Sequence, residues 1–149
     1  MREPKFRGLL IQEYYNHFKD NLTSRWVFGN FSLHKFHAQG GCDLSAWISD
    51  IDWQRTPDGN GDTYKEYPIM PETMGEFTGF KDASTPPKEI YEGDILQEPD
   101  HPDTYTVVWD ENEGQWAVKF HGDITMPLSR LRRAYGFVAK VIGTIHDKI

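Results

Sequence analysis

The residues best placed to do chemistry are two carboxylates near the middle of the chain. Glu92 and Asp94 lie two positions apart in residues 90–97, a strand-like segment interrupted at Gly93. Residues two apart on a strand point to the same face, so these carboxylates are expected to form a pair capable of acid–base catalysis. A solvated face or a turn-capping role is the alternative, because no nucleophile, phosphate loop or oxyanion motif accompanies them. We therefore expect no enzyme activity and no catalytic residue.

Two other groups have some features of a metal site. Residues 58–62 read Asp-Gly-Asn-Gly-Asp, with the first ligand spacings of a calcium loop. However, Thr63 stands where that loop needs glycine, and Ile69 where it needs glutamate. A zinc site could use three further residues, for which no fourth ligand is evident: His34, His37 and Cys42. We expect an acidic turn at residues 58–62, and neither a metal nor another cofactor.

One basic cluster could contact nucleic acid, and it consists of Arg130, Arg132, Arg133 and Lys140. On a helical turn Arg130 and Arg133 share a face, from which both could contact phosphates. The alternative is that these side chains pair with the acidic middle of the chain. The isoelectric point near 5.3 disfavours a dedicated nucleic-acid-binding protein, which usually has a basic footprint.

The charge is distributed unevenly along the chain. Residues 1–37 carry a net +3, residues 38–114 a net −14 and residues 115–149 a net +4, within an overall −7. The basic ends are expected to fold against the acidic middle, so that much of the field cancels. The alternative is an acidic face kept for a basic partner, or one that mimics DNA and inhibits a protein that binds it.

Composition indicates a globular β-rich protein. The chain has 149 residues, of which 38% are apolar and 14% aromatic, enough for one domain or two small lobes. Cys42 is the single cysteine, which excludes a disulfide within the chain. No apolar run reaches the length of a membrane span or of a signal-peptide core, so we expect a cytoplasmic location.

The elements that must position these residues are mostly short strands. Residues 5–11, 25–37 (with a break at Gly29), 64–70, 90–97 and 137–145 are predicted strands. Residues 104–109 and 115–120 are predicted to form a hairpin, with Trp109 and Trp116 paired across it. Residues 127–135 are predicted to form a short helix that buries Leu128 and Leu131. Residues 38–63 are predicted to be loop-rich, and residues 9–20 fit either a helix or two strands with an inserted loop.

The segment from residue 73 to residue 96 carries a family resemblance. Residues 74–82 (Met-Gly-Glu-Phe-Thr-Gly-Phe-Lys-Asp) and 88–95 (Lys-Glu-Ile-Tyr-Glu-Gly-Asp-Ile) resemble the signature of the YopX family of phage and prophage proteins. Residues 5–8, 26–29 and 141–145 resemble further blocks of that family, in the same order. The link at residues 83–87 is longer here, and residues 9–23 are an insert. The resemblance also favours two strands with an inserted loop, rather than a helix, in residues 9–20.

The resemblance implies a mainly β fold with minor α structure. We expect an irregular N-terminal β lobe at residues 1–72 and a C-terminal SH3-like half-open barrel at residues 73–149. The family has no established biochemical activity. We expect a phage or prophage accessory protein in the bacterial cytoplasm that works through protein contacts as a homo-oligomer, with a host or phage protein as a possible partner and no membrane contact. The alternatives are nucleic-acid binding through the basic cluster and acidic DNA mimicry.

Overall fold

A computed structural model describes residues 5–22, 24–38, 41–49, 54–55, 62–63, 66–133 and 136–147, without the side chains of residues 21, 32–45, 54–55 and 62–63. The chain divides into two compact units, Met1–Glu76 and Phe77–Ile149.

The first unit is built on a long antiparallel hairpin. Residues 30–38 of strand β2 (Trp26–Ala38) pair with the whole of β3 (Gly41–Ser49), residues 26–29 of β2 pair with β1 (Phe6–Leu9), and β6 (Glu66–Ile69) pairs with β3. The first two residues of β7 (Gly75–Lys81) pair with β1, which gives the strand order β6-β3-β2-β1-β7. The remaining elements of this unit are helix α1 (Gln12–Phe18), two 3-10 helices (Lys19–Asn21 and Pro71–Thr73) and the paired short strands β4 (Gln54–Arg55) and β5 (Asp62–Thr63).

Close packing inside this sheet explains a glycine in β2. The described core residues are Leu10, Val27, Ala46, Ile48 and Ile69. A Cβ atom built on Gly29 would collide with the backbone carbonyl oxygen of Ser49 on β3. Only glycine therefore allows β2 and β3 to approach as they do.

The second unit is built on a five-stranded antiparallel sheet. Its strands are β9 (Asp94–Gln97), β10 (Thr104–Asp110), β11 (Gln115–Phe120), β12 (Ile124–Pro127) and β15 (Lys140–Thr144), in the order β12-β11-β10-β9-β15. The rest of β7 pairs with β8 (Glu89–Tyr91), and β13 (Arg132–Arg133) pairs with β14 (Gly136–Phe137). A 3-10 helix, Leu128–Leu131, follows β12.

One face of this sheet forms the core of the second unit. Leu96, Val107 and Val118 are fully buried on neighbouring strands. Leu128 and Leu131 of the 3-10 helix belong to the same cluster, together with Ile90 and Ala139. Alternation along β10 and β11 thus places the core side chains on one face, as a period of two requires.

Several predictions are confirmed. The protein is mainly β with minor helix, and the 104–109/115–120 hairpin is present with the Trp109 and Trp116 rings 5.0 Å apart in an edge-to-face pair. Leu128 and Leu131 are buried as predicted, but the predicted helix at residues 127–135 is limited to the 3-10 helix Leu128–Leu131, because Pro127 ends β12 and Arg132–Arg133 form β13. The SH3-like arrangement of the second unit stays a prediction.

Other predictions are wrong. Residues 12–18 form a helix, so the prediction of two strands in residues 9–20 is wrong. The helical spacing of the apolar residues in this segment indicated the correct structure. The loop predicted at residues 38–63 contains β3, which the β2 hairpin stabilises. Strand β2 has no break at Gly29, which instead serves close packing. The predicted strand at residues 137–145 is split between β14 and β15.

Candidate functional site

The signature stretch is organised around one buried carboxylate. Asp82 is 5% exposed, and Oδ1 accepts hydrogen bonds from the backbone N–H groups of Ser84 (2.9 Å) and Lys88 (2.8 Å). Its Oδ2 accepts from the Ser84 hydroxyl and from the N–H of Val141, both at 2.8 Å. Two backbone hydrogen bonds flank this group, from Asp82 N–H to the Lys88 carbonyl and from Ala83 N–H to the Ala139 carbonyl. Asp82 therefore holds the loop at residues 83–88 and fastens it to the start of β15.

The hydrogen bonds keep Asp82 ionised in spite of its burial. Burial raises the pKa of this carboxyl, but the bonds from Val141, Lys88 and Ser84 lower it by more, so that the pKa lies below its ordinary value of 3.8. A carboxylate with four donors is stable in a low-dielectric site because each oxygen is satisfied. The arrangement is that of a structural anchor.

The expected pair of carboxylates is not formed. Glu92 lies with Gly93 in a turn between β8 and β9, whereas Asp94 begins β9 and is fully buried. Oδ2 of Asp94 accepts a hydrogen bond of 2.8 Å from the N–H of Tyr91. The prediction that both carboxylates share a strand face is therefore wrong, because the chain turns between them. Gly93 has a φ of +89°, a left-handed conformation that glycine adopts readily in a turn.

Exposed apolar side chains lie at both edges of the five-stranded sheet. Ile124 on the edge strand β12 is 53% exposed, and Ile142 on the opposite edge strand β15 is 55% exposed. Ile145, directly after β15, is 55% exposed, and Trp109 at the hairpin end of β10 is 45% exposed. Large aliphatic side chains on sheet edges are a feature of surfaces that bind another chain.

A polar cluster lies at the end of the sheet away from the hairpin turn. Asp103 Oδ2 is 3.2 Å from Nε2 of His121 and 3.7 Å from Nδ1 of His101. The Tyr105 hydroxyl donates a hydrogen bond of 3.3 Å to Oε1 of Glu98. Burial, and then the negative charges of Glu98 and Asp103, raise the pKa of Tyr105 above its ordinary value of 10.0. These contacts tie the loop before β10 to the turn after β11.

This polar cluster was not predicted from the sequence, although the predicted hairpin contains the information needed to find it. A hairpin that pairs Trp109 with Trp116 also pairs Thr106 with Lys119, which brings the loop before β10 near the turn after β11. Asp103 is thereby brought next to His121. The register of a hairpin is fixed by its turn, so this proximity follows from the predicted turn.

The cluster predicted to bind nucleic acid is divided between two places. Arg130, Arg132 and Arg133 are exposed in the 3-10 helix and β13, and Nη1 of Arg133 donates a hydrogen bond of 2.7 Å to the Arg130 carbonyl. Lys140 is exposed on β15 beside Gln97. It lines a groove of about 390 Å³ together with Gln97, Glu98, Pro99, Asp100, His101 and Ile142. Among the described residues that line this groove there is no arginine, so Lys140 belongs to a mixed-charge surface.

The residues that were considered as metal ligands, and judged not to form a site, cannot be placed. Residues 58–61 and the side chains of Asp62, His34, His37 and Cys42 lie outside what the structure describes. Within the described part of the chain, no group of three His, Cys, Asp or Glu side chains could hold a metal ion.

The fold defines the class of this protein as a mainly antiparallel β protein with a short helix. A sequence model of the YopX protein family matches residues 30–148, and the chain belongs to that family. No curated protein and no solved structure matches the chain significantly. Among the described helices, none is long and apolar enough to cross a membrane.

Proposed function

We propose that the protein is a phage or prophage accessory protein that works in the bacterial cytoplasm through protein contacts, as a homo-oligomer and without turnover. The observation that carries this proposal is the exposed isoleucine on the edge strand β12, Ile124. Membership of the YopX family supports the phage origin.

Apolar surface that remains in contact with water favours association energetically. The Ile124 side chain is 53% exposed. Burying the exposed half of such a side chain contributes about 1 kcal/mol, so a symmetric contact that covers Ile124 in both copies gains about 2 kcal/mol.

The positions of the signature carboxylates favour binding over catalysis. Asp82 and Asp94 are buried, and both accept backbone hydrogen bonds. Both carboxylates therefore stabilise turns of the backbone. The signature residues thus have a structural role, and we propose that the protein acts through its surface.

Nucleic-acid binding through Arg130, Arg132 and Arg133 is the second candidate. The exposure of all three arginines favours it, because exposed guanidinium groups can contact phosphates. A gel shift with duplex and single-stranded DNA at low salt tests this candidate. We expect no shift at about 50 mM salt, where phosphate contacts are strongest. A shift that disappears when the three arginines are replaced by glutamine would favour the nucleic-acid function.

Sedimentation velocity over a wide concentration range tests the leading proposal. We expect a species heavier than the monomer that dissociates on dilution, with the mass confirmed by light scattering. A monomer at every concentration would remove the homo-oligomer from the proposal. Affinity capture with a second, differently tagged copy provides an independent check that like chains associate.

A further inference from the structure

The two edges of the five-stranded sheet differ in how far their backbone is covered. On β15, the N–H of Val141 donates to Asp82 and the carbonyl of Ala139 just before it accepts from Ala83 N–H. Residues 82–83 therefore cover the start of that edge. On the other side, β12 pairs with β11 and with no other described strand. Within the described residues, β12 is the more open edge.

We propose that two copies of the chain associate by antiparallel pairing of their β12 strands. This proposal rests on the homo-oligomer of the proposed function. The two-fold axis passes beside Thr125, so that Thr125 of one copy lies opposite Thr125 of the second copy. The pairing joins the two five-stranded sheets into one continuous sheet of ten strands.

The proline in β12 indicates which backbone groups face outward. Pro127 has no N–H, and proline in a sheet is placed where its nitrogen faces away from the neighbouring strand. Backbone hydrogen bonds alternate sides along a strand, so Thr125, two residues earlier, directs its N–H and C=O outward as well. Ile124 and Met126 then bond to their register partners on β11, Phe120 and Val118. An outward-facing Thr125 can exchange two hydrogen bonds with Thr125 of the second copy.

The side chains of β12 suit pairing with themselves. In this register Ile124 lies opposite Met126 of the second copy, and the two face the same side of the sheet. Contact between them covers part of an isoleucine that is 53% exposed. Threonine opposite threonine is a favourable cross-strand pair. No residue of Ile124–Pro127 is charged, so β12 lacks the lysine or glutamate that commonly prevents edge strands from pairing.

The charges that flank β12 favour the antiparallel arrangement with a like chain. Asp123 precedes the strand, and residues 128–133 after it contain three arginines and no acidic residue. Antiparallel pairing brings the start of one strand next to the end of the other. Asp123 of each copy therefore lies near the arginine segment of the other, with Arg130 the first basic residue that it meets. Two copies are complementary in charge at both ends of the contact.

Two lysine substitutions at matched positions test the proposal. Ile124→Lys places a charge on β12, and Ile142→Lys places the same charge on β15, at a side chain of nearly equal exposure. Sedimentation equilibrium of the full chain is expected to show dimerisation weakened at least about tenfold by Ile124→Lys and changed by less than about twofold by Ile142→Lys. The reverse order of effects would overturn pairing through β12, and equal effects would do the same.

Amide hydrogen exchange of the wild-type chain gives a second readout, which stands even if a variant fails to fold. We expect exchange of the Thr125 N–H to slow as the concentration rises through the dimerisation range. Exchange of the Thr125 N–H that stays constant while the wild type dimerises would overturn β12 pairing and leave the homo-oligomer standing. A wild type that is monomeric at all concentrations would overturn both.

Discussion

Replacing Asp82 by asparagine tests whether the signature stretch is a structural anchor. The substitution keeps the size of the side chain and removes its charge. The asparagine carbonyl oxygen can still accept from Ser84 N–H and Lys88 N–H, and its amide group can donate to the Ser84 hydroxyl oxygen. Its amide group then faces the N–H of Val141, which also donates and loses its acceptor.

The magnitude follows from these four hydrogen bonds. A hydrogen bond to a charged group contributes about 1.5–3 kcal/mol, and a neutral acceptor contributes less. One bond is lost and the others are weakened, so we expect Asp82→Asn to lower the free energy of unfolding by about 3 kcal/mol. Urea denaturation at neutral pH, followed by circular dichroism, measures this difference.

A matched control is available in the hairpin turn. Asp110 accepts hydrogen bonds from the N–H groups of Asn112 and Glu113 through Oδ1 alone. An asparagine carbonyl oxygen can replace that acceptor, so Asp110→Asn is expected to change stability by less than about 0.5 kcal/mol. An Asp82→Asn protein as stable as Asp110→Asn would refute the anchor role.

The wild type and Asp82→Asn are also expected to differ in how their stability depends on pH. The pKa of Asp82 in the folded chain lies below its ordinary value of 3.8. Its ionised form therefore stabilises the fold above that ordinary pKa, and this contribution is lost as the pH falls through the folded-state pKa. The stability difference between wild type and Asp82→Asn is expected to be constant near neutral pH and to shrink below pH 3.8. A difference that grows on acidification would contradict this assignment.

Three further substitutions have defined outcomes. Gly93→Val is expected to destabilise by about 2 kcal/mol or more, because valine strongly disfavours a φ of +89°; thermal melts that match wild type would argue against this. Gly29→Ala should cost about 2–3 kcal/mol by forcing β2 away from Ser49, and a urea midpoint equal to that of wild type would show that the strands can separate freely. Trp109→Ala should cost about 1 kcal/mol and abolish the near-ultraviolet signal of its pair with Trp116, whereas an unchanged spectrum would place the rings apart.

Local patterns were sufficient to predict the hairpin of the second unit. A four-residue turn, residues 111–114, ends in a glycine with φ +62°, and Gly114 N–H bonds to the Asp110 carbonyl at 2.8 Å. This turn sets the register, and the register brings Trp109 and Trp116 together. Turn chemistry and alternation are properties of neighbouring residues, so they can be read directly from the sequence.

Features that depend on distant residues were not predictable in this way. The role of Asp82 rests partly on the N–H of Val141, 59 positions further along the chain. Strand β3 was missed because glycines at its start indicated a loop, although Ala46 and Ile48 alternate as buried residues on either side of Trp47. Pairing with β2 and β6 stabilises this strand, and that contribution comes from tertiary structure.

Sedimentation equilibrium of the wild-type chain tests the central claim most directly. The measurement extends from dilute to near-millimolar protein, at moderate salt, with the Ile124→Lys variant run alongside it. We expect a reversible monomer–dimer equilibrium for the wild type, shifted strongly toward monomer in the variant. A wild type that stays monomeric over the whole range would contradict association through like chains.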